Sequence, residues 1–185
     1  MPEDTELGLT LLQLARDAIG EEFGLVARPF AHLPELLEPG ATFVTLKLNG
    51  SLRGCIGSLA AYRALLDDVR ENARQAAFAD PRFAALSADE LATVRVEVSL
   101  LSAPARMHFA NETDALAQLR PNIDGIVLNA GYRRATFLPQ VWEDLPNPGL
   151  FLAHLKQKAG LPPDYWGPEI ILERYQVQKW KEAPN

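Results

Sequence analysis

Apolar positions near the start of the chain recur at helical spacing. Leu7, Leu11, Leu14, Ala15, Ala18 and Ile19 form one stripe between about Asp4 and Glu22, with Asp or Thr ahead to cap it, which predicts an amphipathic helix. The proline-rich RPFAHLPELLEPG that follows reads as a loop with room for one short turn. The period then changes. ATFVTLKLNGSLRGCIGSL holds two β-prone runs around Asn49-Gly50, and both turn residues accept the positive φ of a type I′ turn, so a hairpin is predicted. A helical stripe returns from about Tyr62 to Ala79 through Leu65, Leu66, Val69, Ala73, Ala76 and Ala77, and Pro81 ends it.

TVRVEVSLL alternates cleanly. Val94, Val96, Val98 and Leu100 share one face, and Arg95, Glu97 and Ser99 the other, as in a half-buried strand. A short helix is expected over Glu112 to Arg120, and a second hairpin in GIVLNAGYRRATFLP, turning near Ala130-Gly131. Asn147 and Pro148 suit the N-cap and first position of a helix that stops at Gly160, and EIILERYQVQ reads as one last strand. The hairpins imply antiparallel pairing, so the predicted class is α+β rather than a doubly wound parallel sheet. No composition break marks a linker. The 185 residues are expected to form one domain of two intimately joined lobes, each an antiparallel sheet with flanking helices, whose boundary the sequence does not assign.

A two-residue turn fixes a register. With Leu48 opposite Ser51, Leu46 falls opposite Arg53 and Val44 opposite Cys55. Val44, Leu46, Leu48, Arg53 and Cys55 then share one sheet face, and Phe43, Thr45, Lys47, Leu52, Gly54 and Ile56 the other. Both faces are largely apolar, which predicts a central hairpin covered on both sides. Arg53 is the anomaly, because a guanidinium on an apolar face needs a carboxylate, carbonyls or an anionic ligand. An internal ion pair and a ligand-reading arginine both fit. Gly54 and Gly57 mark either close packing across the sheet or backbone open to a ligand.

Cys55 is the only cysteine, which excludes an intrachain disulfide and a CxxC metal knuckle. It is a candidate nucleophile or redox thiol, and equally a small buried residue. Its candidate helpers are Arg53, Glu97 and the three histidines, His32, His108 and His154, which lie on separate predicted elements. Glu97 is either a solvated strand carboxylate or the partner of Arg53. In DPRF, Asp80 and Arg82 either present charge to a cleft or belong to a helix stop anchored by Phe83. Asp124-Gly125 reads as a turn, and in ATFLPQVWEDL the side chains of Thr136 and Gln140 are candidate ligand contacts beside a proline break.

The chain carries a formal charge of -6, which argues against a broad nucleic-acid-binding face; Arg133-Arg134 is the nearest approach to a basic patch. MPEDTELGLT lacks the basic and apolar regions of a signal sequence, and no apolar run spans a bilayer, so a cytoplasmic protein without membrane contact is expected. No phosphate-loop, dinucleotide or zinc-protease motif is present, and no cofactor or metal is predicted.

LRGCIGSL, DPRF, VEVSLLS, DGIVL, ATFLPQVWEDL and FLAHLKQKAGLPPDYW occur in that order, and the series resembles the AMMECR-one domain family over roughly Ala41 to Gln178. The resemblance implies an α+β fold of a larger lobe holding both termini and a smaller lobe, with a functional site at the hexapeptide Leu52–Gly57. Bacterial and archaeal members are labelled "AmmeMemoRadiSam system protein A". That label implies a Memo-domain protein and a radical S-adenosylmethionine enzyme as partners. It brings no reaction with it. Where family members often have glycine before the IDG step this chain has Asn122, which also tolerates positive φ. Three functions follow as expectations: an enzyme or enzyme subunit with a small-molecule or peptide cleft at LRGCIG, a non-catalytic adaptor or regulatory binding protein, and, against the charge balance, a nucleic-acid regulator.

Overall fold

A computed structural model describes residues 5–184. Within them the elements run α1 (Glu6–Glu21), β1 (Ala41–Leu48), β2 (Ser51–Gly57), α2 (Leu65–Phe78), α3 (Ala88–Leu91), β3 (Arg95–Leu101), β4 (Ala105–Arg106), α4 (Glu112–Gln118), β5 (Gly125–Ala130), β6 (Arg133–Phe137), α5 (Pro148–Lys158), β7 (Ile170–Tyr175) and β8 (Val177–Lys181). Short 3₁₀ turns cover Pro34–Leu37 and Pro139–Glu143. The fold is α+β, with two four-stranded antiparallel sheets ordered β2-β1-β3-β8 and β4-β7-β5-β6. The chain divides into two compact units. One comprises the described residues up to Leu101 together with those from Gln178 onward, and the other is Ser102–Val177.

Local sequence signals account for most element ends. The Thr5 hydroxyl accepts the Gly8 N–H at 3.1 Å and caps α1, while the other predicted cap, Asp4, lies outside the described residues. Asn49 (φ 51°) and Gly50 (φ 81°) make the predicted hairpin turn. Asn147 caps α5, Pro148 opens it, and Gly160 (φ 83°) follows its end. Asn122 does adopt positive φ, at 65°.

In the first unit, α1 and α2 pack on one face of the sheet. Leu11, Leu14, Ala18, Val69, Ala73 and Ala76 meet Val44, Leu46, Val96 and Val98, all of them buried. In the second unit, Phe151, Leu152 and Leu155 of α5 cover Ile126, Leu128 and Leu172, and the Trp142 ring stacks on Phe151 with centroids 3.7 Å apart.

Two expectations are corrected. EIILERYQVQ is two strands, not one: β7 ends at Tyr175 in the second sheet and β8 joins the first, where Trp180 packs on Gly8 of α1. The predicted hairpin register also fails beyond the turn. Leu48 faces Ser51 and Lys47 faces Leu52, but a bulge then sets Leu46 opposite Gly54, Thr45 opposite Cys55 and Val44 opposite Ile56. Arg53 is the extra residue. Because side chains alternate, one inserted residue sends everything after it to the opposite face. Gly54 and Ile56 therefore face α2, and Cys55 joins Thr45, Phe43 and Glu97 on the face opposite the helices. That face is polar, and β2 is an edge strand, so the hairpin is neither central nor covered by apolar layers on both sides.

Gly54 fixes how closely α2 approaches. A Cβ there would lie 2.1 Å from the Ala76 carbonyl oxygen, which is helix backbone and cannot rotate away. Gly54→Ala is expected to cost about 1–3 kcal/mol by overpacking, read as a lowered urea midpoint; an unchanged midpoint would show that α2 seats differently.

Candidate functional site

The bulge decides where each candidate side chain goes. Arg53 turns toward α3 and binds Glu90 in a two-pronged ion pair, Nε to Oε1 at 2.9 Å and Nη2 to Oε2 at 3.0 Å. Its Nη1 donates to the Ala84 carbonyl at 2.8 Å and Nη2 to the Ala85 carbonyl at 3.4 Å. Of the two readings of Arg53, the internal pair is the one seen, and its carboxylate is Glu90 rather than Glu97. Glu90 is itself fixed, since it also accepts the Ser87 N–H in a capping box at the start of α3. Arg53 foremost, then the Ser87 N–H, holds the Glu90 carboxyl down at about 2 from an ordinary 4.5.

DPRF closes on the same strand from outside. Asp80, almost wholly buried, accepts the Cys55 N–H at 3.0 Å, and Arg82 Nη2 donates to the Cys55 carbonyl at 3.3 Å. An edge strand leaves such groups unpaired, and Asp80 and Arg82 supply the partners a further strand would have given. Arg82 clamps Asp80 through Nε at 3.0 Å and Nη2 at 2.8 Å. This pairing, helped by the Cys55 and Arg82 backbone N–H groups, holds Asp80 well below the usual carboxylate range against the opposing effect of its burial. Phe83 does not anchor the segment in the core. It lies half-buried between the guanidinium groups of Arg53 and Arg82, 6.0 and 5.4 Å from its ring centroid, and Leu86 is the buried anchor.

With its N–H and C=O turned outward, Cys55 forms a non-hydrogen-bonded pair with Thr45, the arrangement that brings side chains closest. The half-buried Cys55 Sγ lies 3.3 Å from Thr45 Oγ1, and among the described residues this hydroxyl is its hydrogen-bond partner. Glu97 faces Thr45 from the other side in β3. It is not solvated: it is 6% exposed, with Lys47 Nζ 3.1 Å from Oε1, Lys181 Nζ 3.7 Å from the same oxygen and Lys179 Nζ 3.9 Å from Oε2. Cys55, Thr45 and Glu97 thus make a row across three adjacent strands.

The remaining candidates separate from this row. Gly57 lies under the Phe43 ring, 2.2 Å from where a Cβ would stand, and like Gly54 it serves packing. Thr136 and Gln140 belong to the second unit. The buried Thr136 hydroxyl donates to the Ile126 carbonyl at 2.9 Å and touches the Tyr175 hydroxyl at 3.0 Å, while Gln140 is exposed on its 3₁₀ turn. Burial of the Tyr175 phenol pushes its pKa up. A groove of about 560 Å³ lies elsewhere on the first unit, between Gly20, Leu25 and Val26 of the α1 end and Ala88 and Leu91 of α3, and no candidate residue lines it. Among the described residues no three His, Cys, Asp or Glu side chains gather closely enough to hold a metal ion, and no helix is long and apolar enough to cross a membrane.

Two buried polar centres escaped the sequence reading. The Asp68 carboxylate, fully buried in α2, accepts from the Thr42 N–H and hydroxyl (2.7 Å each), Ser58 (2.6 Å), Arg63 (2.9 Å) and Asn72 (3.0 Å), tying β1 and the end of β2 to the helix. Asp68 and Asn72 stand four apart beside the apolar stripe, and that spacing was the available signal. Lys156, 1% exposed, pairs with Glu112 at 2.6 Å beneath the Trp166 ring.

The comparisons with known proteins agree with one another. A family model described as AMMECR1 matches residues 12–180. A protein of Methanothermobacter thermautotrophicus is 36% identical over 192 residues, covering 98% of this chain and 97% of the relative. A protein of Saccharolobus solfataricus is 35% identical over 194 residues, covering 97% and 84%. The crystal structure of an uncharacterized protein from Pyrococcus horikoshii superposes with a TM-score of 0.81 at 32% identity, covering 96% of this chain and 92% of that one.

The Arg53–Glu90 pair has a pH signature. A carboxyl whose folded pKa is depressed contributes stability that is complete above its unfolded value and disappears as pH falls through the folded one. Glu90→Gln is expected to lower stability at neutral pH by about 1–3 kcal/mol. The gap from wild type should close as pH falls from 4.5 toward about 2. Urea midpoints across that range check it; a gap independent of pH would contradict the pairing.

Proposed function

The chain belongs to the AMMECR1 family, and from that premise we propose that it is a cytoplasmic, non-catalytic binding component, serving a Memo-domain protein and a radical S-adenosylmethionine enzyme. Its binding surface is the polar face of the first sheet where Cys55, Thr45 and Glu97 stand in a row. The carrying observation is the company the thiol keeps. A nucleophilic cysteine is activated by a base within hydrogen-bond reach, or by a cation or helix N-terminus that favours its thiolate; the guanidinium groups of Arg53 and Arg82 are paired with Glu90 and Asp80 instead. Here the contact is a hydroxyl, Thr45 Oγ1 at 3.3 Å. A neutral alcohol oxygen is far too weak a base to take the proton of a thiol.

The other signature residues support the same reading. Arg53, Gly54, Gly57, Asp80 and Arg82 all have partners within their own unit, and those contacts fix β2 against α2, α3 and the DPRF segment. They hold the strand that presents the row and leave the surface chemistry to Thr45, Glu97 and the lysines around it.

Cys55→Ala and Cys55→Ser separate binding from catalysis. Both variants are expected to melt within a few degrees of wild type, to co-purify the Memo-domain partner as wild type does, and to complement a deletion strain. Lost complementation by variants that still fold and still bind would establish thiol chemistry instead. Cys55→Ser, which stays close in size and removes the thiol, carries the comparison alone should Cys55→Ala prove unstable.

A further inference from the structure

The row carries more positive charge than its single carboxylate neutralises. Lys47 and Lys181 both approach Glu97 Oε1, at 3.1 and 3.7 Å, and Lys179 approaches Oε2 at 3.9 Å. Arg95 stands opposite Lys47 in the β1–β3 register, on the same face, and among the described residues it makes no ion pair. Among the described residues of the strands, four cations therefore share one sheet face with one carboxylate, in a chain whose formal charge is -6. The lysine side chains are 37% (Lys47), 40% (Lys179) and 60% (Lys181) exposed, whereas that of Glu97 is 7% exposed. The carboxylate sits at the floor and the ammonium groups at the rim.

A structural counter-ion needs one lysine. Only Lys47 is within direct hydrogen-bond distance; the other two ammonium groups lie beyond it. Three ammonium groups around one carboxylate leave a net positive patch, which solvent screens in part and a further anion would neutralise. The nearby Thr45 hydroxyl, between Glu97 and Cys55 in the register, adds a neutral donor. Converging point charges on flexible stems suit a compact, multiply charged anion better than a single planar carboxylate, for which forked arginine donors are the better match.

We propose that Lys47, Lys179 and Lys181, gathered on Glu97, form a binding site for a phosphate-bearing small molecule. This inference rests on the reading of the polar sheet face as the binding surface and names the chemistry of what it binds. Glu97 holds the lysines together when the site is empty and competes with the ligand for them when it arrives.

Isothermal titration of the intact chain with pyrophosphate, at an ionic strength fixed with chloride, tests it, and citrate serves as the polycarboxylate arm. Saturable one-to-one binding of pyrophosphate, tighter than that of citrate, is expected. Lys47→Gln with Lys181→Gln should weaken it about tenfold or more, as loss of charge-assisted hydrogen bonds does. Glu97→Gln should tighten it several-fold by removing the competitor, an effect opposite to that of a merely structural carboxylate. The lysine variants carry the test alone if Glu97→Gln does not fold. No saturable binding, equal binding by the folded lysine variant, or citrate binding as tightly as pyrophosphate would overturn the proposal. Lost pyrophosphate binding with partner co-purification intact contradicts this inference alone. A Cys55-dependent phenotype with pyrophosphate binding intact contradicts the non-catalytic reading alone.

Discussion

One extra residue in β2 sets the geometry of everything around the signature hexapeptide. Arg53 stands out of register because its guanidinium is held by Glu90 and by two loop carbonyls, and the strand resumes pairing one position later. The slip places Gly54 beneath the backbone of α2, where no other residue fits, and carries Cys55 to the opposite face. The same slip turns the backbone of Cys55 outward, where Asp80 and Arg82 take the place of a missing strand. Of the two roles open to Arg53 in the sequence, the internal pair is the fastening that determines which way the thiol points.

Much of the architecture was legible because it is written locally. The Asn49-Gly50 turn, the Asn147-Pro148 start of α5 and the alternation of Val94, Val96 and Val98 each depend on a few consecutive residues, and all are found as read. What escaped depends on partners distant in sequence. The bulge needs Glu90, which lies 37 positions from Arg53. The division of EIILERYQVQ between two sheets needs the edge that β3 offers to β8. A perfect alternation counted back from the turn gave Cys55 the wrong face for this reason: periodicity fixes the spacing of side chains along a strand but not the point where a tertiary contact inserts an extra residue. Arg53 was rightly singled out as needing a partner, while the partner itself was beyond reach of the sequence.

The consequence for function is a division of labour between two groups of residues that the sequence presents as one motif. Arg53, Gly54, Gly57, Asp80 and Arg82 build and protect an edge strand. Thr45, Glu97 and the lysines of β1 and β8 line the surface that the strand borders, and the proposed binding is theirs. Cys55 belongs to both, with its backbone in the clamp and its side chain in the row. The low overall charge does not conflict with an anion site, because attraction at contact range is set by the nearest groups, and salt screens the rest of the molecule.

The placement of Cys55 opposite Thr45 is the claim on which the others stand, and cross-linking measures it directly. Residues in a non-hydrogen-bonded antiparallel pair lie about 4.5 Å apart at Cα, within the range a disulfide spans. Thr45→Cys is expected to form an intramolecular disulfide with Cys55 on mild oxidation, whereas Val44→Cys, buried on the α2 face, stays reduced. A disulfide from Val44→Cys and none from Thr45→Cys would mean that β2 pairs without the bulge, and would contradict the account.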